Sequence, residues 1–199
     1  MIDEQIYRRF NHTVAACFVI YFLFPQEIFS LSRSLLIVLF WLIVITIEIL
    51  RFQKIIEIIG LRDYEEKRVA GFVWFASGSC LLLGLYEMDL IPQSFVIGTI
   101  IMAAYTDPLI GESSKKWGEK IGIVSGLTCS FVIYQIIIGG YFYPLIGSVI
   151  AVAVEKPKIK WFDDDFAMQI FPILVMCILY SYGIGPDLIN EGILIKEGI

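Results

Sequence analysis

The sequence predicts an all-α protein, a polytopic integral membrane helical bundle of about seven transmembrane helices with a cytoplasmic N-terminus. Three observations predict it. Of 199 residues, 58% are hydrophobic and 18% charged, with a mean hydropathy of +0.78; a soluble domain runs nearer half apolar and a quarter charged. The apolar excess comes as uncharged runs of bilayer-spanning length, which excludes a soluble globular enzyme. The positive charges alternate in step with those runs.

A helix needs ~20 apolar residues to cross the hydrocarbon, or ~17 at the low end. Charges divide the chain accordingly. The first candidate, His12 to Gln26, is short. Ser34 to Leu50 follows, interrupted only by Glu48, and then Val69 to Tyr86 and Leu90 to Thr106. Ile121 to Val154 carries no charge and is too long for one span. It suits two spans joined at Gly139-Gly140, because paired glycines favour a turn. Phe166 to Gly185 is the seventh, and Asp187 to Ile199 reads as a short tail on a single domain covering 1–199. The charged start is followed by no small-x-small cleavage site, so the first span reads as retained rather than as a signal peptide.

With the N-terminus inside, Arg8 and Arg9, the cluster from Arg51 to Arg68, Lys115, Lys116 and Lys120, and Lys156, Lys158 and Lys160 all fall inside. Only Arg33 and Lys196 fall outside. This is a strong positive-inside asymmetry, and it supports an odd number of spans. A net charge of −5 disfavours nucleic acid as a partner. Four scattered cysteines without a CxxC pair argue against a zinc site or disulfide framework and read as small core residues. The lone histidine, His12, excludes a multi-histidine metal site.

Most acidic residues also fall on the cytoplasmic side, where topology does not require them. Four features there stand out from an ordinary solvated surface. Asp107-Pro108 directly follows the uncharged run ending at Thr106. Proline is expected to end or kink the helix, leaving the carboxylate at a broken helix end near the interface. Next, Gly111 to Lys120 combines small residues, hydroxyls and lysines that could cradle phosphates or simply anchor a span. Third, Glu155 and Asp163-Asp164-Asp165 suit magnesium held with substrate phosphates, or equally a cap on the last helix. Fourth, Glu48 and Arg51 are spaced for an i,i+3 pair, ahead of the charged stretch Arg62 to Arg68.

These blocks resemble those of the CTP-dependent polyprenol kinases, the family of dolichol kinase, phytol kinase and yeast-type diacylglycerol kinase, related to phosphatidate cytidylyltransferases. Arg8-Arg9-Phe10-Asn11-His12 is similar to that family's RKxxH, and Ile47 to Arg51 to its iEllR. Leu61 to Gly71 resembles lRexExxrxtG. Thr106-Asp107-Pro108 stands in the place of GDA, and Trp117-Gly118 matches the aromatic-Gly of GrrfG. Val154-Glu155 with Asp163-Asp164-Asp165 resembles the closing block, and Pro172 a proline just beyond it. Thr106, Pro108 and Asp165 replace that family's glycine, alanine and asparagine, and no KTxEG block is recognisable in Gly122 to Ser130.

The resemblance implies an integral membrane kinase that moves the γ-phosphoryl of CTP to a lipid alcohol of the polyprenol, dolichol or phytol type. The active site would lie on the cytoplasmic face and use magnesium. Asp107 would be catalytic or bind the metal, with Asp163, Asp164 and Glu155 as further ligands. Lys115, Lys116, Gly118, Lys120, Arg8 and Arg9 would contact the nucleotide. Glu48, Arg51, Arg62, Glu65 and His12 would support the site. Two rivals stand beside this reading. One is a cytidylyltransferase or polyprenyl-phosphate kinase. The other is a small transporter or structural membrane protein, although transporters place ionisable groups nearer the midplane.

Overall fold

The computed structural model describes residues 13–58, 61, 63–155, 163–186 and 188. Seven helices dominate: α1 Thr13–Leu23, α2 Arg33–Phe52, α3 Gly71–Glu87, α4 Gln93–Trp117, α5 Glu119–Ile137, α6 Phe142–Glu155 and α7 Asp164–Ser181. One falls in each expected span. Four of them (α2, α4, α5 and α7) are long and apolar enough to cross a membrane, and the other three are shorter apolar helices. The shortest is α1. It opens with an α-helical turn and continues as 3-10 helix over Ala16–Leu23, a form that rises ~2.0 Å per residue rather than ~1.5 Å.

Between α1 and α2, Glu27–Ile28 pairs antiparallel with Leu31–Ser32 in a two-residue hairpin. Its turn residues, Phe29 and Ser30, have φ of 52° and 64°, as a tight hairpin turn that matches strand twist requires. The Ser32 hydroxyl then caps α2 by accepting from the Leu35 N–H at 3.3 Å. At the α5–α6 turn, Gly139 and Gly140 take φ of 77° and 64°, so the paired glycines divide the long run as expected.

Burial ranks the helices. In the most apolar stretch of α4, 67% of residues are buried, against 22% in α2. Helix α4 is therefore the central helix, and α2 keeps Val38, Leu39, Leu42, Ile43 and Ile49 exposed. Small residues let the central helices approach. A Cβ at Gly122 would collide with Ser114, and one at Gly126 with Ile110, so α5 lies against the second half of α4. At the other end of the same pair, Thr99 and Tyr134 share a 3.2 Å hydrogen bond; α4 and α5 are thus antiparallel. Gly147 of α6 fits between Tyr134 and Met176, which locks α5, α6 and α7 together.

These contacts define two ends of the bundle. At one end lie the ring cluster of Phe95, Tyr143 and Tyr180 and the Arg33–Glu87 pair at 2.6 Å. At the other end α2, α4 and α6 finish and α3, α5 and α7 begin. This polar end gathers most of the candidate site.

Pro108 does not end its helix: α4 runs on to Trp117. Proline removes one backbone hydrogen bond, but α4 is held against α5 beyond it, at Ile110–Gly126 and Ser114–Gly122. Asp107 therefore sits inside a continuous helix rather than at a broken end. The expected loop from Gly111 to Lys120 is correspondingly helical, broken only at Gly118, where φ is 95°. Cys17 is exposed rather than a core residue, Cys80 is buried, and Cys129 and Cys177 are part-buried.

Candidate functional site

The last two turns of α2 place Glu48 and Arg51 on one face, and both are buried. They form a two-pronged ion pair: Arg51 Nε donates to Glu48 Oε2 at 2.7 Å and Nη2 to Oε1 at 2.6 Å. The i,i+3 pair expected from sequence is present. Arg51 reaches further, donating from Nη1 to the Glu65 carbonyl at 3.0 Å and from Nη2 to the Arg68 carbonyl at 2.8 Å. One guanidinium thus ties the end of α2 to the short 3-10 helix Asp63–Lys67 and to the segment leading into α3.

The carboxylates of this group serve the start of α3. The first amides of a helix have no partner within it, and Ala70, at the cap position, has no polar side chain to offer. Glu48 Oε1 accepts from the Ala70 N–H at 2.9 Å, and Glu65 Oε1 accepts from the Gly71 N–H at 2.8 Å. Negative groups at a helix N-terminus are favoured by the aligned peptide dipoles as well. A Cβ on Gly71 would lie 3.1 Å from Glu65 Oε1 and 3.8 Å from Asp165 Oδ2. Glycine there lets α3 come close to both carboxylates.

Helix α7 joins from a distant part of the chain. Arg68 Nη2 donates to Asp163 Oδ2 at 3.0 Å. Asp163 Oδ1 accepts from the Asp165 N–H at 3.2 Å and caps α7. The capping role that the sequence left open beside metal binding is thus the one the Asp163 side chain performs. Burial and the neighbouring Asp164 carboxylate push the Asp163 carboxyl up to about 6, against the opposing Asp165 N–H and Arg68. Buried Glu48, Glu65, Asp163 and Asp165 surround Arg51 and half-buried Arg68, so the cluster is rich in negative charge.

A second group occupies the α4–α5 junction at the same end. Lys115 and Lys116 lie exposed in the last turn of α4, whereas Asp107 is part-buried ten residues, ~15 Å, before its end. Lys116 sits over the Trp117 ring, 4.8 Å from its centre. Gly118 breaks the chain direction, and Lys120 lies exposed in the first turn of α5. Cations at a helix C-terminus are favourable on their own account.

The structure therefore brings Glu48, Arg51, Glu65 and Asp163 into one cluster and Lys115, Lys116, Gly118 and Lys120 into another. Among the described residues, no group of three or more His, Cys, Asp or Glu is placed to hold a metal ion. Asp107, Glu155, Asp163 and Asp164 do not form such a group. Arg8, Arg9, His12 and Arg62 lie outside the described residues. Sequence reasoning missed two links. Arg68 binds Asp163, and Gln169, fully buried, accepts from Ser79 Oγ at 3.1 Å and donates to the Phe75 carbonyl at 3.2 Å. The one available signal was Gln169 itself, an amide inside an otherwise apolar run.

The fold and this end of the bundle define an all-helical protein of apolar helices with a buried, mixed-charge cluster at one end. No family model, no curated protein and no solved structure matches the chain.

Proposed function

We propose that this chain is an integral membrane lipid-alcohol kinase, transferring the γ-phosphoryl of CTP to a polyprenol-, dolichol- or phytol-type hydroxyl at the cytoplasmic face. One observation carries the reading. Three sequence blocks that resemble the CTP-dependent polyprenol kinases, at 47–51, 61–71 and 163–165, converge through the Glu48–Arg51, Arg51–Glu65, Arg51–Arg68 and Arg68–Asp163 contacts. Lysines stand at the same end of the bundle, where a nucleotide from the aqueous side and a hydroxyl at the interface can meet.

In the reaction the alcohol oxygen bonds to the γ-phosphorus, the bond to the β-bridging oxygen breaks, and CDP leaves. Such transfer depends mainly on positioning and charge neutralisation. Asp107 would receive the hydroxyl proton or, with that proton passing to solvent, hold the metal. Lys115, Lys116 and Lys120 bind the phosphates. The Glu48–Arg51–Glu65 cluster and Asp163 position α3 and α7. Magnesium arriving with the nucleotide would call for only one or two carboxylates beside the phosphates, and Asp107 or Asp164 would supply one. When bound, it would neutralise charge on the transferring phosphoryl group.

The test is a transfer assay on the full chain in detergent with magnesium. γ-Labelled CTP and ATP are each offered with a panel of lipid alcohols, alongside Asp107→Asn. CTP-dependent labelling of an alcohol, lost in Asp107→Asn, is expected. Labelling from ATP alone removes CTP as donor. CDP-lipid formation from a phosphorylated acceptor moves the protein to the cytidylyltransferases. Inactivity with every acceptor overturns the kinase reading.

A further inference from the structure

Helix α1 holds eight consecutive residues, Ala16–Leu23, in 3-10 form. Runs longer than three or four residues are uncommon, because the i→i+3 hydrogen bond is poorer than the α-helical one. Something must therefore favour the tighter winding here. The placement of the side chains shows what it achieves. Val14, Cys17, Ile20 and Leu23 are exposed, and the residues between them pack on the core of the bundle. A repeat of three belongs to the 3-10 helix, in which i and i+3 eclipse. In an α-helix Val14 and Leu23 would stand half a turn apart, and one of them would face the bundle.

Length is the second observation. As wound, Thr13–Leu23 covers ~20 Å, against ~16 Å for an α-helix of the same residues. The hydrocarbon of a bilayer is ~30 Å thick. Helix α1 is the shortest of the seven, and its winding recovers ~4 Å of the shortfall. A short span makes the bilayer thin around it, so added helix length relieves that strain, and a thin bilayer removes the reason for it. One end of α1 is fixed. Arg33 Nη1 donates to the Phe24 carbonyl at 3.1 Å, the Arg33 guanidinium lies 4.8 Å from the Tyr21 ring centre, and the Phe22 and Tyr86 rings meet edge-on at 5.0 Å. A change of winding therefore moves the Thr13 end. Eight residues passing from 3-10 to α form turn that end by ~160° and draw it in by ~4 Å. Phe18, whose ring meets Phe40 at 5.3 Å, lies on the part that turns.

We propose that α1 senses bilayer thickness: it keeps the 3-10 form in a thick bilayer and passes to the α form in a thin one. The inference rests on α1 lying in a bilayer and not on the kinase reading. Nitroxide labels test it on the full chain, one at a time, at Cys17 and in Val14→Cys, Ile20→Cys and Leu23→Cys, with the other reactive cysteines replaced by alanine. All four sites are exposed, so a label there displaces nothing in the bundle. Paramagnetic resonance reads collisions with oxygen, which concentrates in hydrocarbon, and with a water-soluble nickel chelate. Vesicles of dierucoyl and of dimyristoleoyl phosphatidylcholine supply the thick and thin bilayers. Each rate is taken relative to a label in Val38→Cys, on the exposed face of α2. In the thick bilayer all four labels are expected to meet oxygen freely. In the thin one Leu23 keeps its rate, and the rate falls stepwise through Ile20 and Cys17 and is lost at Val14. Four rates that do not change between the two bilayers overturn the proposal. Nickel collisions prevailing over oxygen at all four sites overturn it in a different way, by placing α1 in water.

Discussion

Arg68 and Asp163 lie ninety-five positions apart and meet through Nη2 and Oδ2 at 3.0 Å. This contact joins the approach to α3 to the start of α7. Asp163 is almost fully buried, whereas Arg68 keeps 38% of its side chain exposed, so solvent screens part of the attraction. Arg68→Ala is expected to cost about 1–2 kcal/mol. A double-mutant cycle with Asp163→Asn in detergent, read by denaturant unfolding, checks it. Additive losses would show that the pair is not coupled.

Glu48 and Arg51 form the more protected pair, and their contribution is larger. Removing one partner of a buried ion pair leaves the other charge uncompensated, at about 3–5 kcal/mol. Glu48→Ala also frees the Ala70 N–H. The expected result is a large loss of unfolding free energy or no folded protein. Arg51→Lys is expected not to rescue stability, because an ammonium cannot reproduce the two-pronged contact and also reach both carbonyls. Equal melting temperatures for Arg51→Lys and wild type would contradict this.

The raised Asp163 carboxyl gives a pH signature. It binds its proton more tightly in the folded chain, near 6, than an ordinary aspartate near 3.8. Its contribution to stability is therefore greatest below about 3.8 and is lost as pH rises through about 6. Burial above all, and then Asp164, raise this value, while the Asp165 N–H and Arg68 oppose the rise. The melting temperature of wild type minus that of Asp163→Asn is expected to fall between pH 4 and 6.5 and to stay level above. A flat difference would remove the effect.

The contact between Gly126 and Ile110 keeps α5 against α4 beyond the proline. Gly126→Val is expected to cost about 1–3 kcal/mol through overpacking. Ile110→Ala in the same chain makes room and is expected to recover part of the loss. Melting of the single and double variants in detergent reads this directly, and no recovery would place the strain elsewhere.

Much of this architecture was legible because a bilayer imposes its own length on apolar runs. Gly139 and Gly140 divided the longest run, and the spacing of Glu48 and Arg51 announced their pair. Pro108 misled, since a proline shows in sequence what it removes but not the neighbouring helix that compensates. The 3-10 form of α1 left no mark in its composition. Arg68–Asp163 and Ser79–Gln169 are long-range contacts, and no periodicity encodes them. Within the candidate site, charge clustering was readable, but the use of Glu48 and Glu65 as caps for another helix was not.

The Glu48–Arg51 pair also bears on how α2, a helix long and apolar enough to cross a membrane, would enter one. The two residues lie three positions apart on one helix, so their pairing needs no other part of the fold. As soon as α2 is helical it carries the two ions as a unit of zero net charge, which lowers the barrier that either ion alone would meet in lipid. The amides at the start of α3 depend instead on Glu48, and they find their acceptor only after α2 is in place. The order of the chain therefore matches the order of need: the earlier helix, α2, brings the cap for α3, which follows it.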